Sequence, residues 1–132
     1  MKVSITSGKR KTAVARVTVR KGQGRVKING TPLEIFTPEM AKDRLSEPIV
    51  IAGSKAEKID IDVNVSGGGF MGQAEAGRTA IAKGIVDFLG DKELEETYKQ
   101  FDRSILVSDA RRKMPKNPLG RGARKKRQKS YR

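Results

Sequence analysis

The alternation of apolar and polar positions marks out the elements of this chain. Over residues 11–19, Lys11, Ala13, Ala15, Val17 and Val19 alternate with Thr12, Val14, Arg16 and Thr18, and the β-branched content predicts a strand. Lys21-Gly22-Gln23-Gly24 is a turn signal and Arg25-Val26-Lys27-Ile28 a second strand, so the two read as an antiparallel hairpin. Pro38 opens a helix that runs to Leu45, with Thr37 as its N-cap and Glu39 in its first turn, and Pro48 interrupts it. Residues 49–52 fit either a short helix or a buried strand. The clearest strand covers residues 58–65, where Ile59, Ile61, Val63 and Val65 alternate with polar residues. A glycine-rich turn follows, then a helix from about Gly72 to Leu89 with Ala74, Ile81, Ile85 and Phe88 on one face. Gly77 and Gly84 on that face let it lie close to a sheet, and Gly90 stops it. Asp91 caps a last helix with Leu94, Tyr98 and Phe101 at helical spacing. This order predicts an α+β two-layer sandwich with helices on one face of a mostly antiparallel sheet.

Charge divides the chain into three blocks. Residues 1–33 carry nine Lys or Arg and no acid, a charge of +9; residues 34–110 carry nine bases and fifteen acids, −6; residues 111–132 carry eleven bases and no acid, +11. The pattern predicts a folded body over residues 1–110 and an extended basic tail over residues 111–132. The tail is broken by Pro115, Pro118, Gly120 and Gly122 and has no apolar face to bury, so it has little reason to fold alone. Its charge suits a polyanion. Cysteine and histidine are both absent, which removes disulfides, thiolate metal sites and the commonest general base. With no signal-peptide pattern and no membrane-length apolar run, the expectation is a soluble intracellular protein without a membrane partner.

The candidate chemistry is cationic. Gly8-Lys9-Arg10-Lys11-Thr12 places three cations before the first predicted strand, and with Arg16 in the same acid-free block they point to phosphate binding. Arg78 and Lys83 on the glycine-led helix read equally as exposed helix residues or phosphate contacts. Gly67-x-Gly69-x-x-Gly72 fits a dinucleotide fingerprint, but no second βαβ unit surrounds it. It also approaches a P-loop, yet Gln73-Ala74 stands where Lys and a hydroxyl residue are needed, so neither a cofactor nor a small-molecule substrate is expected. The turn of Gly67, Gly68, Gly69 and Gly72 either lets the chain pass closely or offers N–H groups to a polymer phosphate. Asp60 and Asp62 share a strand face, and Glu93, Glu95 and Glu96 a helix face; both groups read as solvated.

Three blocks carry a resemblance. They are residues 8–17, residues 67–76 with Arg78, Ala80, Ala82, Lys83, Gly84 and Ile85 beyond, and Asp109-Ala110-Arg111-Arg112 with the ending Lys129-Ser130-Tyr131-Arg132. In order and spacing the chain resembles the universal family of small-subunit ribosomal protein nine, closest to its archaeal and eukaryotic branch. The resemblance implies a left-handed βαβ crossover within the α+β fold, a fold shared with some ATP-using enzymes. It implies a non-enzymatic, structural constituent of the small ribosomal subunit, bound to ribosomal RNA in the head beside neighbouring ribosomal proteins. Ribosomal RNA contacts are expected at Lys9, Arg10, Lys11, Arg16, Arg78 and Lys83 in the body. In the tail they are expected at Arg111, Arg112 and Lys113, and then at Arg121, Arg124, Lys125 and Lys126. The resemblance further implies that Arg127, Lys129 and Arg132 approach the anticodon stem-loop of the peptidyl-site tRNA. Tyr131 departs from the Lys-Arg ending of many bacterial relatives. Two rivals stand beside this reading: a nucleotide-dependent enzyme using the glycine turn, and a free-standing RNA or DNA chaperone with two basic ends.

Overall fold

The structure is a computed structural model that describes residues 2–36, 38–108, 110–112, 114–116, 118 and 123. Five strands form one mixed sheet: β1 (Val3–Arg10), β2 (Ala13–Lys21), β3 (Val26–Ile28), β4 (Thr31–Pro32) and β5 (Ile59–Ser66). Their spatial order is β1-β2-β5-β3-β4. Helices α1 (Glu39–Ala52), α2 (Phe70–Leu89) and α3 (Lys92–Phe101) complete the α+β architecture. All neighbouring strands are antiparallel except β3 and β5, which are parallel and joined by a crossover through α1.

The alternation in β2 and β5 is the core pattern. Ala13, Ala15, Val17 and Val19 of β2 and Ile59, Ile61 and Val63 of β5 are buried, and α2 returns Ala74, Ile81 and Ile85 to them. Removing one of the Val or Ile side chains from water stabilises by about 1.5–3 kcal/mol. α2 packs across β1 and β2. Its small residues set the distances: a Cβ on Gly84 would lie 2.8 Å from Val19 Cγ2 of the sheet, and one on Gly77, which faces α1 instead, 2.6 Å from Leu45 Cδ2. From the strand side, a Cβ on Gly8 would lie 2.4 Å from the Ala76 carbonyl oxygen.

The predicted hairpin between the first two sequence strands is not formed. β5 lies between β2 and β3, because β2 pairs from Val14 to Lys21 with all eight residues of β5 while β3 offers only three residues. The true hairpin is β1–β2, turned at Lys11-Thr12, so Lys11 is not in a strand. β1 escapes an apolar-period reading because its covered face is Ser4, Thr6 and Gly8, while Val3 and Ile5 face outward. Small polar residues suit that face because α2 lies so near; Thr6 Oγ1 donates to the Ala80 carbonyl at 2.9 Å.

Pro48 does not end α1. The ring is fully buried, and residues 49–52, for which the sequence left helix and strand open, continue the helix to Gly53. A mid-helix proline removes one backbone hydrogen bond. Here the Pro48 carbonyl accepts from the buried Tyr98 hydroxyl at 2.6 Å, and Ser46 Oγ donates to the Lys42 carbonyl at 2.6 Å. Burial pushes the Tyr98 hydroxyl pKa well above its ordinary value. α2 begins two residues before the expected start and ends, as expected, on left-handed Gly90. Asp91 caps α3 by accepting from the Glu93 and Leu94 N–H groups. Leu94 and Tyr98 are buried as the spacing predicts, but Phe101, the last helical residue, is left exposed. Asp60 and Asp62 are tied rather than simply solvated. Asp60 accepts from the Gln23 and Arg25 N–H groups, which lowers its pKa, and Asp62 pairs with Arg20 at 3.1 Å. α1 takes Pro38 as its N-cap, one residue later than the expected Thr37, which itself lies outside the described residues.

The Gly8 contact is with backbone, which cannot rotate away. Gly8→Ala is expected to lose about 1–3 kcal/mol in urea unfolding. Gly69→Ala, whose Cβ would meet nothing within 4 Å, is expected to lose at most about 1 kcal/mol.

Candidate nucleic-acid interface

Strand register brings the two motifs of the sequence side by side. Val14 of β2 pairs with Ser66 of β5, so the β1–β2 turn and the glycine turn meet at one end of the sheet. Gly67 has φ +76°, and a Cβ there would lie 2.5 Å from the Thr12 carbonyl oxygen; this glycine is required for close passage. Gly68 adopts φ +66° against Ala13. Gly69 is different: it caps α2 with no side-chain hydrogen bond and faces open space. The first N–H groups of a helix have no intrahelical partner, and they carry the positive end of its dipole. Close passage thus accounts for Gly67 and Gly68, while Gly69 stands at a helix start whose first N–H groups have no intrahelical partner.

Beside this helix start, Arg10, Lys11, Thr12, Gly69, Gly72 and Glu75 line a cavity of about 300 Å³. Lys11 is exposed, held outward in the hairpin turn at φ 55°. Gln73 donates from its side chain to the Gly67 carbonyl at 3.1 Å. That residue stands where a P-loop needs its lysine, and its amide instead ties the turn shut. Among the described residues no three of Asp, Glu, Cys and His group to hold a metal ion, and no helix is long and apolar enough to cross a membrane.

Arg10 also separates this cavity from a second one. Its Nε pairs with Glu75 at 2.7 Å. On the other side, Lys9, Arg10, Arg44, Arg78 and Arg111 surround a cavity of about 240 Å³ that includes Asp102 and Ser104. Arg78 is not an exposed helix residue: it is 5% exposed. Its Nη2 donates to Asp102 at 2.8 Å, and its Nε lies 3.2 Å from Glu47. The Arg78 hydrogen bond, followed by those from the Ser104 N–H and hydroxyl, lowers the Asp102 pKa. Lys83 is half-buried and reaches the Ser7 carbonyl at 3.4 Å, over the outer edge of β1. Arg16 projects from the sheet face opposite the helices, beside Asn64, Val65 and Ser66.

The root of the tail joins this end of the body. Ser108 Oγ accepts from the Lys9 N–H at 3.3 Å, and Arg112 Nη1 donates to the Lys11 carbonyl at 2.5 Å. Thus Lys9, Arg10, Lys11, Arg111 and Arg112 are brought together, while Arg16 and Lys83 stand apart. Lys113, Arg121, Arg124, Lys125, Lys126, Arg127, Lys129 and Arg132 lie outside the described residues. Sequence reasoning missed Arg44, Glu47, Glu75 and Asp102. The opposite charges of Arg44 and Glu47 at i,i+3 were a usable signal, but a helix stopped before Pro48 hides their shared face.

Comparison with known proteins gives a consistent answer. A family model described as ribosomal protein S9/S16 matches residues 8–132. The small ribosomal subunit protein uS9 of Thermoplasma volcanium is 57% identical over 128 residues, covering 97% of each chain. Its counterpart from Picrophilus torridus is 56% identical, covering 97% of this chain and 96% of that one. The one from Methanothrix thermoacetophila is 52% identical over 132 residues, the whole of both chains.

The Arg78–Asp102 pair gives a pH prediction. A carboxylate with a lowered folded-state pKa stabilises above its unfolded value, ordinarily 3.8, and that contribution is lost as pH falls through the folded value. Asp102→Asn is expected to cost at most about 1 kcal/mol at neutral pH, since solvent screens the half-exposed carboxylate and Glu47 still faces Arg78. In chemical unfolding the gap between variant and wild type should close as pH falls below the ordinary aspartate value; a constant gap would disconnect it from this charge.

Proposed function

The chain belongs to the ribosomal protein S9/S16 family, and from that premise we propose that its body binds small-subunit ribosomal RNA in the head while its tail reaches the peptidyl-site tRNA. As a member of that family it is a structural, non-enzymatic constituent of the small ribosomal subunit and is located in the ribosome, in the cytoplasm.

The observation that carries the RNA-binding reading is the Arg112–Lys11 hydrogen bond, which seats the start of the C-terminal basic block on the N-terminal basic turn. The two cationic blocks thereby become one surface, beside an open helix N-terminus. Like-charged segments repel, so their convergence favours a polyanion that neutralises both. On this reading residues 1–110 form the body and residues 111–132 the RNA-penetrating arm. Lys9, Arg10, Lys11, Arg111 and Arg112 face RNA backbone at the hairpin end, with Arg16 and Lys83 as outlying contacts. Arg78 acts from within, as the fixed charge of the second cavity. Arg121, Arg124, Lys125 and Lys126 continue along the RNA, with Lys113 at their start, and Arg127, Lys129 and Arg132 approach the tRNA. Contacts to backbone accept every tRNA, because they read phosphate and shape rather than bases. Each is screened over about 8 Å at physiological salt, so affinity must come from many.

The nucleotide-enzyme reading loses its site, since Gly67 is packed on the Thr12 carbonyl and Gln73 fills the lysine position. A free-standing chaperone would crosslink in cells to many RNAs; the ribosomal reading expects reads concentrated in small-subunit RNA, with tRNA anticodon stems joined through the tail.

Replacing Lys9, Arg10 and Lys11 together by Gln should lower occupancy of the protein in purified small subunits, and unchanged occupancy would refute the body's role. Deleting residues 129–132 should leave occupancy normal while disturbing initiation or frame maintenance in reporter assays. Normal initiation and framing in that truncation would remove the tRNA contact and leave the rRNA contact standing.

A further inference from the structure

On the sheet face opposite the helices, charge is paired at one end and unpaired at the other. The outward residues of β5 run Asp60, Asp62, Asn64 and Ser66, and those of β2 opposite them run Arg20, Thr18, Arg16 and Val14. Arg20 stands opposite Asp60 and pairs with its diagonal neighbour Asp62 at 3.1 Å. Arg16 stands opposite Asn64 with Ser66 as its diagonal neighbour, so neither position offers the carboxylate that Arg20 finds. Among the described residues the Arg16 guanidinium, the Asn64 carboxamide and the Ser66 hydroxyl make no hydrogen bond or ion pair. With Val14 and Val65 they line a cavity of about 490 Å³. No carboxylate lines it, whereas Glu75 stands in both cavities beside Arg10, and Asp60 and Asp62 in the one lined by Arg20, Arg25 and Lys27. The corner is open because β3 stops at Ile28, opposite Val63, and leaves the last residues of β5 without a strand on that side. The Asn29 side chain stands in for one, accepting from the Val65 N–H at 2.9 Å and donating to its carbonyl at 3.3 Å. The backbone there is satisfied, and the side chains over the cavity remain free for a ligand.

From this geometry we infer that the cavity takes one unpaired nucleobase of RNA, its edge read by Asn64 and its phosphate held by Arg16. This rests on the ribosomal RNA reading above and deepens it, adding a base contact to the backbone contacts. A carboxamide carries a donor and an acceptor side by side, so Asn64 can pair with a base edge through two hydrogen bonds. The half-buried Val14 gives the flat ring an apolar surface to lie on, and the Ser66 hydroxyl gives or accepts one bond more. The Arg16 fork can give two hydrogen bonds to the phosphate of the same nucleotide. A wall without carboxylates does not repel that phosphate. The size also suits a base: pockets for small organic ligands begin at about 300 Å³, and a phosphate alone would leave most of this one empty. Unpaired bases, splayed from their strand, are what proteins read in RNA. RNA is favoured over an acidic peptide by position. Val14 and Ser66 lie where the hairpin turn and the glycine turn meet, next to the cations that face RNA backbone.

The test uses the full-length protein and a transcript of the small-subunit head RNA, read by affinity and by chemical probing of base edges with dimethyl sulfate and a carbodiimide. Arg16 and Asn64 are exposed, so their variants should fold, which thermal unfolding checks. Asn64→Ala is expected to weaken binding about tenfold with its salt dependence unchanged. Arg16→Gln should weaken binding and lower the salt slope by about one. Asn64→Asp gives Arg16 the carboxylate it lacks; it should unfold no earlier than wild type and bind more weakly than Asn64→Ala. One unpaired base should be protected by wild type and reactive with both Asn64 variants. Lys92→Gln, at the far end of the body, should bind as wild type; an equal loss there would make the effect one of general charge and overturn the base seat. Wild-type affinity and an unchanged probing pattern in Asn64→Ala would also overturn it. If Arg16→Gln alone then weakened binding, Arg16 would be a backbone contact and the ribosomal RNA reading would stand. Failure of the wild type to prefer head RNA over unrelated RNA would overturn that reading and the seat with it.

Discussion

The seating of α2 on β1 and β2 is the contact on which the rest of the molecule depends. The helix approaches so closely that Gly8 and Gly84 have no room for a Cβ, while Gly77 makes way for Leu45 of α1. Close-packed interiors transmit position, so the helix cannot slide or tilt without a clash. This fixes Gly69 and the helix start beside the hairpin turn, and it aims Arg78 between α1 and the Arg103–Ile105 turn. The cationic end of the molecule is thus a consequence of apolar and backbone packing many residues away from any charge.

Charge is handled differently inside and outside. Within the fold, Arg78 is surrounded by Glu47, Asp102 and Ser104, because an unpaired buried guanidinium would cost several kcal/mol. At the hairpin end Lys9, Arg10, Arg44 and Arg111 converge on one cavity, which suits a surface that meets a polyanion. The acids of the middle block do structural tasks: Asp91 caps α3 and pairs with Lys55, Asp60 holds the turn before β3, and Asp102 anchors the segment leading to the tail. A body with a net negative middle can therefore display a positive face.

Tyr98 and Pro48 show how the helical layer is fastened. Proline costs a helix hydrogen bond, yet its ring fills the core and its carbonyl receives the Tyr98 hydroxyl. The pairing joins α1 to α3 at buried positions and keeps α1 intact through Glu47, which the Arg78 network needs. One tertiary hydrogen bond thus supports both the fold and the charged cavity.

Three motif blocks carried the resemblance to the family, and the sequence alone determined the amphipathic elements, the helix stop at Gly90, the Asp91 cap and the cationic character of both ends. These rest on local rules: side-chain period, turn chemistry, and the uncompensated charge of acid-free blocks. β1 was illegible because its covered face is polar and small, a choice imposed by α2 and invisible in periodicity. The β2–β3 hairpin was expected because neighbours in sequence usually pair, whereas β5 offers β2 a longer and more apolar partner. Pro48 read as a stop because its local cost was visible and the Tyr98 hydroxyl fifty positions away was not. The same limit hid Arg44, Glu47, Glu75 and Asp102. Only tertiary structure decided which cations stand in solvent and which are held in a charged network, because that depends on acids brought near by packing rather than by spacing along the chain.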